Sequence, residues 1–278
     1  AKRPPTVREL LSNTGGLAYP FWNGNLLRFE QEKQRLPMDK ATLRPFVSEP
    51  GTRWEYGPGT DVLGQVVEKV SGLTLEDYFR KHIFAPLGMD DTFYQVPANK
   101  WDRAVRIFHK RQPDGSLVAE GSREESLVPP KVTQFHGDRG LRSTGPDYLR
   151  LIQAFLNDGE LDGVRILKSE TVDLMCQNHI GDLRAGEMVS VVSQISNDVH
   201  FFPGENKFGL GFLINAEAVL GGRATGSLMW AGAANTYFWI DRKQGIGGVV
   251  MTQLGPFGDA TVLKLVDAYE KAIYAISR

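Results

Sequence analysis

Between residues 208 and 254 the chain strings together four apolar runs, three of them carrying glycine, "FGLGFLI", "SLMWAGA", "NTYFWID" and "GIGGVVMTQL", with short turns such as "RKQG" among the links. Apolar runs joined by short turns such as this have the look of an antiparallel meander. The chain then closes on "DATVLKLVDAYEKAIYAISR", where Val262, Leu265, Val266, Tyr269 and Ile273 recur at helical spacing. The last third therefore predicts an antiparallel meander with a terminal helix packed on one face. Glycines inside strands weaken them unless something approaches closely, so a helix or a ligand is expected against this sheet.

The preceding sequence is different in kind, and the chain divides into a mostly helical and loop-rich lobe over about 1–160 and the sheet with its terminal helix over about 205–278. "PTVRELLSNTGGL" reads as a short helix from Val7 to Leu11, entered from Pro-Pro-Thr and ended by Gly15-Gly16. A loop-rich stretch with Tyr19, Phe21 and Trp22 runs on through Arg44. Gly57-Pro58-Gly59, with Thr60 or Asp61 as cap, opens a helix whose apolar face is Val62, Val66, Val67 and Val70 and which Gly72 closes. Thr74 caps a further helix carrying Tyr78, Phe79 and Ile83, and Asp114-Gly115 marks a hairpin in the polar stretch from Trp101 to Pro130. A third long helix starts near Pro146 and turns Leu149, Ile152, Phe155 and Leu156 inward; residues 160–167 form a second hairpin, and Ser169 caps the helix that holds Cys176.

Composition excludes several functions. At 278 residues and 41% hydrophobic content the chain can bury roughly 75% of its unfolded surface. A net charge of -1 provides no basic field for nucleic acid or anionic lipid. A small neutral or mixed-charge ligand is the expected partner. No apolar run approaches the ~18 residues of a membrane span. The single cysteine, Cys176, has no disulfide partner and reads as a buried inert thiol. Nucleophile-elbow, zinc-protease, Walker and dinucleotide signatures are absent. His82, His109, His136, His179 and His200 are scattered without ligand spacing, and Asp90-Asp91 reads as a cap. No metal or cofactor is expected. Compartment is not readable from the sequence. One residue fits none of this: a turn that opens a helix needs glycines and a cap, and nothing there asks for the phenol of Tyr56.

Six blocks in order, "TVRELLSNTGGL", "EPGTRWEYGPGTDVLGQVVEKVSG", "IFAPLGMDDTFY", "GLRSTGPDYLRLIQAFLNDGELDGVRIL", "FGLGF" and "WAGAANTYFWIDRKQGIGGVVMTQ", resemble the serine β-lactamase superfamily. More narrowly they are similar to its class C-like branch of penicillin-binding-protein-like carboxylesterases and transesterases. The resemblance implies an α/β (α+β) fold: an antiparallel sheet flanked by helices, a helical domain alongside, and the site in the cleft between. It implies that Tyr56 exchanges protons with a nucleophilic serine, assisted by the lysine of a Ser-x-x-Lys pair. It also implies that Trp230 and Gly232 line the substrate cleft and that the backbone N–H of Ala233 is an oxyanion donor, a group that contributes about 2.7–4 kcal/mol. A free phenol titrates near 10, so phenolate at neutral pH would need a shift of about 3 units from neighbouring positive charge. "GDRGLRST", Gly137 to Thr144, matches a block beside the cleft.

Departures from the family pattern narrow the chemistry. Pro58 stands where many relatives have the asparagine of a Tyr-x-Asn motif, and Trp230-Ala231-Gly232 replaces Lys-Thr-Gly. Losing that lysine removes a cation suited to a β-lactam or peptide carboxylate, and Trp230 offers an apolar wall instead. No serine in the chain is followed by lysine three positions later. The resemblance places that pair upstream of Ala1, so the chain is expected to be the C-terminal portion of one catalytic unit whose nucleophile lies on a preceding segment or separate chain. The alternative is a shortened, inactive homologue. The expected function is a carboxylesterase or acyltransferase acting on a small-molecule ester or amide. A β-lactamase or D,D-peptidase and a non-catalytic binding protein remain as other readings.

Overall fold

The computed structural model describes residues 1–33, 45–105, 108–120, 129–201 and 204–277; part of the stretch leading to Arg44 and part of the polar stretch after Trp101 lie outside them. Eight α-helices are described: α1 Val7–Leu11, α2 Gly24–Lys33, α3 Gly59–Ser71, α4 Leu75–Phe79, α5 Ala85–Leu87, α6 Gly145–Leu156, α7 Ser169–Met175 and α8 Ala260–Ile276. Twelve strands accompany them: β1 Phe108–Arg111, β2 Leu117–Glu120, β3 Glu160–Leu161, β4 Val164–Arg165, β5 Glu187–Met188, β6 Val199–His200, β7 Lys207–Phe208, β8 Leu213–Ile214, β9 Leu228–Gly232, β10 Thr236–Asp241, β11 Ile246–Val250 and β12 Leu254–Gly255. The main sheet is the expected meander, in the order β11-β10-β9-β8-β7 with every neighbour antiparallel. A smaller sheet pairs β1 antiparallel with β2, the hairpin read at Asp114-Gly115, and parallel with β12. The hairpin over 160–167 forms as β3 and β4.

Alternation along β10 sets the layers. Tyr237 and Trp239 join a core with Met229 and, from α8, Val262, Val266 and Tyr274. Ile240 and Leu228 join a second core with Ile152 and Phe155 of α6 and Val172 of α7, with Phe238 packed against it. Helices thus cover both faces of the sheet. The strand glycines answer to this packing. A Cβ on Gly247 would lie 2.4 Å from Ile152 of α6, and one on Gly248 would lie 2.2 Å from the Trp239 ring.

Two helix faces depart from the sequence reading. In α3 the buried positions are Gly59, Asp61 and Gly64, while Val66 is 42% and Val70 82% exposed. This helix packs through its smallest residue: the Cα of Gly137 would lie 3.1 Å from a Cβ on Gly64. Close backbone contact takes precedence over the valine stripe. Pro58 is the N-cap, with no side-chain cap bond, and Asp61 is buried in the first turn instead. In α8 the buried row is Val262, Val266, Glu270 and Tyr274, while Leu265 and Tyr269 are 55% and 42% exposed. Glu270 is drawn inward by Arg223, whose Nε donates to it at 2.8 Å, and Tyr274 by Asp241, which accepts from its hydroxyl at 3.0 Å. Polar partners buried beneath the helix decide its face, and hydrophobic spacing alone does not register them. Smaller differences lie at helix starts. Thr6 and Thr74 cap α1 and α4 as read, whereas Lys168, without a side-chain cap bond, precedes α7 in place of Ser169.

Candidate active site

Tyr56 is held by the turn that follows it. A Cβ on Gly57 would lie 2.4 Å from the carbonyl oxygen of Leu17, and one on Gly59 2.7 Å from that of Leu10. Glycines therefore let two early segments pass directly over the turn. The N–H of Tyr19 donates to the Tyr56 carbonyl at 3.4 Å and that of Glu55 to the Asn13 carbonyl at 3.0 Å, tying the residues around Tyr56 to the "NTGGLAY" segment.

Aromatic rings surround the phenol. Tyr56 stands 4.8 Å from Trp230, 5.4 Å from Tyr19 and 5.5 Å from Trp22, centroid to centroid. Trp230, from β9, also meets Phe208 at 5.1 Å, Phe201 at 5.9 Å and Trp54 at 6.5 Å. Trp22 reaches Phe257 at 6.0 Å and donates its indole N–H to Ser196 Oγ at 3.1 Å. The result is a corner walled by large apolar surfaces, with the phenols of Tyr56 and Tyr19 and the indoles of Trp22, Trp54 and Trp230 carrying the side-chain polar atoms of the rings.

Gly232 ends β9 and Ala233 lies exposed in the turn to β10. A Cβ on Gly232 would fall 2.4 Å from Thr236 Oγ1, so a larger residue there would displace the Thr236 hydroxyl. The turn is fixed from behind by Asn235, fully buried and at a φ of 56°. Its amide donates to the carbonyls of Leu254 and Pro256, both at 2.8 Å, and its Oδ1 accepts from Tyr237 at 2.8 Å and from the Asp259 N–H at 3.0 Å. The Thr252 hydroxyl donates to Ala234 O at 2.6 Å. Of the four residues singled out by sequence, Tyr56 and Trp230 are in ring contact, while Gly232 and Ala233 follow Trp230 at the end of the same strand.

Burial is the main influence on the Tyr56 hydroxyl and raises its pKa; a hydrogen bond with the Trp230 side chain lowers it, and the Asp138 carboxylate raises it further. The balance favours the neutral phenol, contrary to the positive surroundings that a resting phenolate requires. As arranged here the Tyr56 hydroxyl keeps its proton at rest.

Asp61, His136 and Asp138 offer ligand atoms within 4.8 Å of one another. Asp138 already accepts from Tyr19 and from Arg139, and Asp61 from His136 at 2.9 Å. The trio is satisfied internally, as hydrogen-bonding groups rather than as an open donor set. Of the remaining histidines, His179 meets Arg8 at 2.7 Å and His200 stands 3.8 Å from Glu187. Asp91 is bound by Arg103 and Lys100. Burial pushes the Cys176 thiol up, away from thiolate reactivity. Tyr19, Trp22, Asp138 and Asn235 were not singled out as site residues by the sequence. Only Asn235 carries a local sign, a lone Asn at a tight strand turn, where a positive φ is tolerated.

With this geometry the comparisons with known proteins can be placed. The model of the beta-lactamase family matches residues 1–269. The chain belongs to the beta-lactamase family. It is 34% identical over 267 residues to the lovastatin esterase of Penicillium rubens, covering 89% of this chain and 63% of that protein. It is 30% identical over 284 residues to the monacolin J acid methylbutanoyltransferase of Aspergillus terreus, covering 97% of this chain and 67% of that protein. The chain therefore spans about two thirds of these relatives' length. Among solved structures, unliganded simvastatin synthase from Aspergillus terreus superposes with a TM-score of 0.77 at 27% identity, over 98% of this chain and 68% of that one. A hydrolase with promiscuous acyltransferase activity, at 20% identity and a TM-score of 0.69, shares the fold. The mixed architecture, an antiparallel sheet flanked by helices, is the one expected from the six sequence blocks.

Proposed function

We propose that this family member is a serine esterase or acyltransferase for apolar small-molecule esters, and that Tyr56 carries a proton to the departing alcohol. The observation that carries the reading is the contact of Tyr56 with Trp230: the one phenol at the motif position lies against the residue that replaces the family's strand lysine. A proton carrier beside an apolar wall suits an uncharged acyl chain, and the absence of the strand lysine disfavours a carboxylate-bearing β-lactam or peptide. The names of the two relatives, a lovastatin esterase and a monacolin J acid methylbutanoyltransferase, support the same class.

Chemistry at the carbonyl runs in two steps. A serine attacks as its proton passes to an assisting base; the N–H of Ala233 steadies the developing oxyanion; and Tyr56 gives its own proton to the departing alcohol and is then reprotonated from that base. Water or a second alcohol then takes the acyl group. Since no serine of this chain has lysine three positions later, we place the nucleophile on an additional segment that completes the catalytic unit, with the 1–160 lobe and the 205–278 sheet forming the two walls of its cleft. The assay that tests the class compares a nitrophenyl butyrate ester with a chromogenic cephalosporin, using the full natural polypeptide. Turnover of the ester far above that of the cephalosporin is expected. Preference for the cephalosporin would move the assignment to a β-lactamase, and inertness to both, together with no label from a phosphonate probe, to a binding protein.

A further inference from the structure

The turn at residues 136–139 touches the chain on both sides of Tyr56. Upstream, the Tyr19 hydroxyl donates to Asp138, while the Tyr19 backbone donates to the Tyr56 carbonyl and its ring lies 5.4 Å from the Tyr56 ring. Downstream, His136 donates to Asp61 at 2.9 Å, and Asp61 sits in the first turn of α3, five residues after Tyr56. Gly137 locks the two together: a Cβ there would lie 2.0 Å from the Thr60 carbonyl oxygen and 3.2 Å from the Gly64 N–H nitrogen. No larger residue fits between that turn and α3.

Within this clamp Asp138 has the surroundings of a purposeful group. Its side chain is 1% exposed, against 59% for Arg139, which donates to both of its oxygens at 2.9 and 3.0 Å. A buried carboxylate is costly unless its oxygens are satisfied, and one of its partners here is the phenol that packs on Tyr56. We propose that Asp138 is a positioning residue: through the Tyr19 hydroxyl it fixes the ring that holds Tyr56 in register with Trp230 and the Ala233 turn. This rests on the reading of Tyr56 as proton carrier. The charged and titratable groups around the clamp are Arg139, His136 and Asp61 on the side of Asp138, Tyr94, whose hydroxyl donates to the His136 carbonyl at 2.6 Å, and Tyr19 beside Tyr56. Asp138 is the carboxylate whose charge bears on the Tyr56 phenol, and it favours the protonated form.

The test uses the full natural polypeptide and steady-state hydrolysis of a nitrophenyl ester across pH, with melting temperature as a folding control. Asp138→Asn keeps the shape and removes the charge; Tyr19→Phe keeps the ring and removes the donor. Each is expected to lower kcat by about 10- to 100-fold with KM little changed, the scale on which small misplacements of a reacting group act. The pair together should cost no more than either alone, because they break one link. In Asp138→Asn the basic limb of the kcat profile should also move to lower pH, since a charge that favours the neutral phenol has gone. In a Tyr56→Phe background neither change should cost anything further. Tyr56→Phe losing activity while Asp138→Asn retains wild-type kcat and pH profile would overturn this proposal alone. Wild-type turnover by Tyr56→Phe would overturn the reading beneath it, and losses that merely track a lowered folded fraction would reduce Asp138 to a structural acid.

Discussion

Trp230 contacts four aromatic side chains, and its role divides cleanly into recognition and packing. If it walls the acyl pocket, Trp230→Ala should change preference between short and long acyl chains by about tenfold, the value of a methylene or two in an apolar pocket. Rates on a series of nitrophenyl esters check this. A uniform loss on every ester, accompanied by a fall in melting temperature, would assign it to packing alone. At this scale the sequence was informative where a motif position was occupied by an unneeded group, as with Tyr56, or by a departure, as with Trp230. It gave no sign of the pairing of Asp138 with Tyr19, which lie 119 residues apart and meet only through the fold. A local motif does not register such a pair, because each residue alone is an ordinary member of a turn or loop.

Elements whose partners are apolar were legible, and elements whose partners are polar were less so. The meander follows from its apolar runs and short turns, and α6 follows from Pro146 near its start and its inward Ile152 and Phe155, while its Thr144 cap was not read. Helix α8 was read by its apolar stripe, yet half of its buried row is Glu270 and Tyr274. Arg223 and Glu270 are 3% and 4% exposed at their side chains, and Arg223 also lies 5.3 Å over the Trp239 ring. Removing one member of such a pair leaves a buried charge, so Glu270→Ala should destabilise the protein by about 3–5 kcal/mol. Replacing both, as Arg223→Met with Glu270→Leu, should recover much of that loss. Denaturant unfolding of the two variants against the parent decides, and a Glu270→Ala protein as stable as the parent would show that α8 is held without the Arg223–Glu270 pair.

Across the whole molecule, two acid-held clasps contribute to its response to low pH, alongside Asp241 and Asp259, whose carboxyls are also held down. The Arg3 guanidinium, with help from Thr6, holds the Glu9 carboxyl down to about 2, against a usual 4.5. Arg103 and then Lys100 hold Asp91 to about 2, against a usual 3.8. Both shifts are depressions, so their stabilisation is complete above the usual values and is lost as pH falls toward about 2. Stability measured by denaturant at stepped pH should fall across that window, and Glu9→Gln should flatten the slope. An unchanged slope would show that the Arg3 clasp already exists in the unfolded chain. The same scale carries the claim that these residues form one catalytic unit with a further segment. Among the described residues β11 pairs on one side only, with β10, and Leu265, Tyr269 and Ile276 of α8 are exposed. An added strand and helix would cover that edge and face. The most direct measurement is the intact mass of the full natural polypeptide, quenched within its first turnovers on a nitrophenyl ester. One acyl group on a serine outside residues 1–278 is expected, with formation slowed at least about 100-fold in Tyr56→Phe, as for loss of an acid–base group. An acyl group on a residue within this chain, or equal acylation rates with and without the Tyr56 hydroxyl, would contradict it.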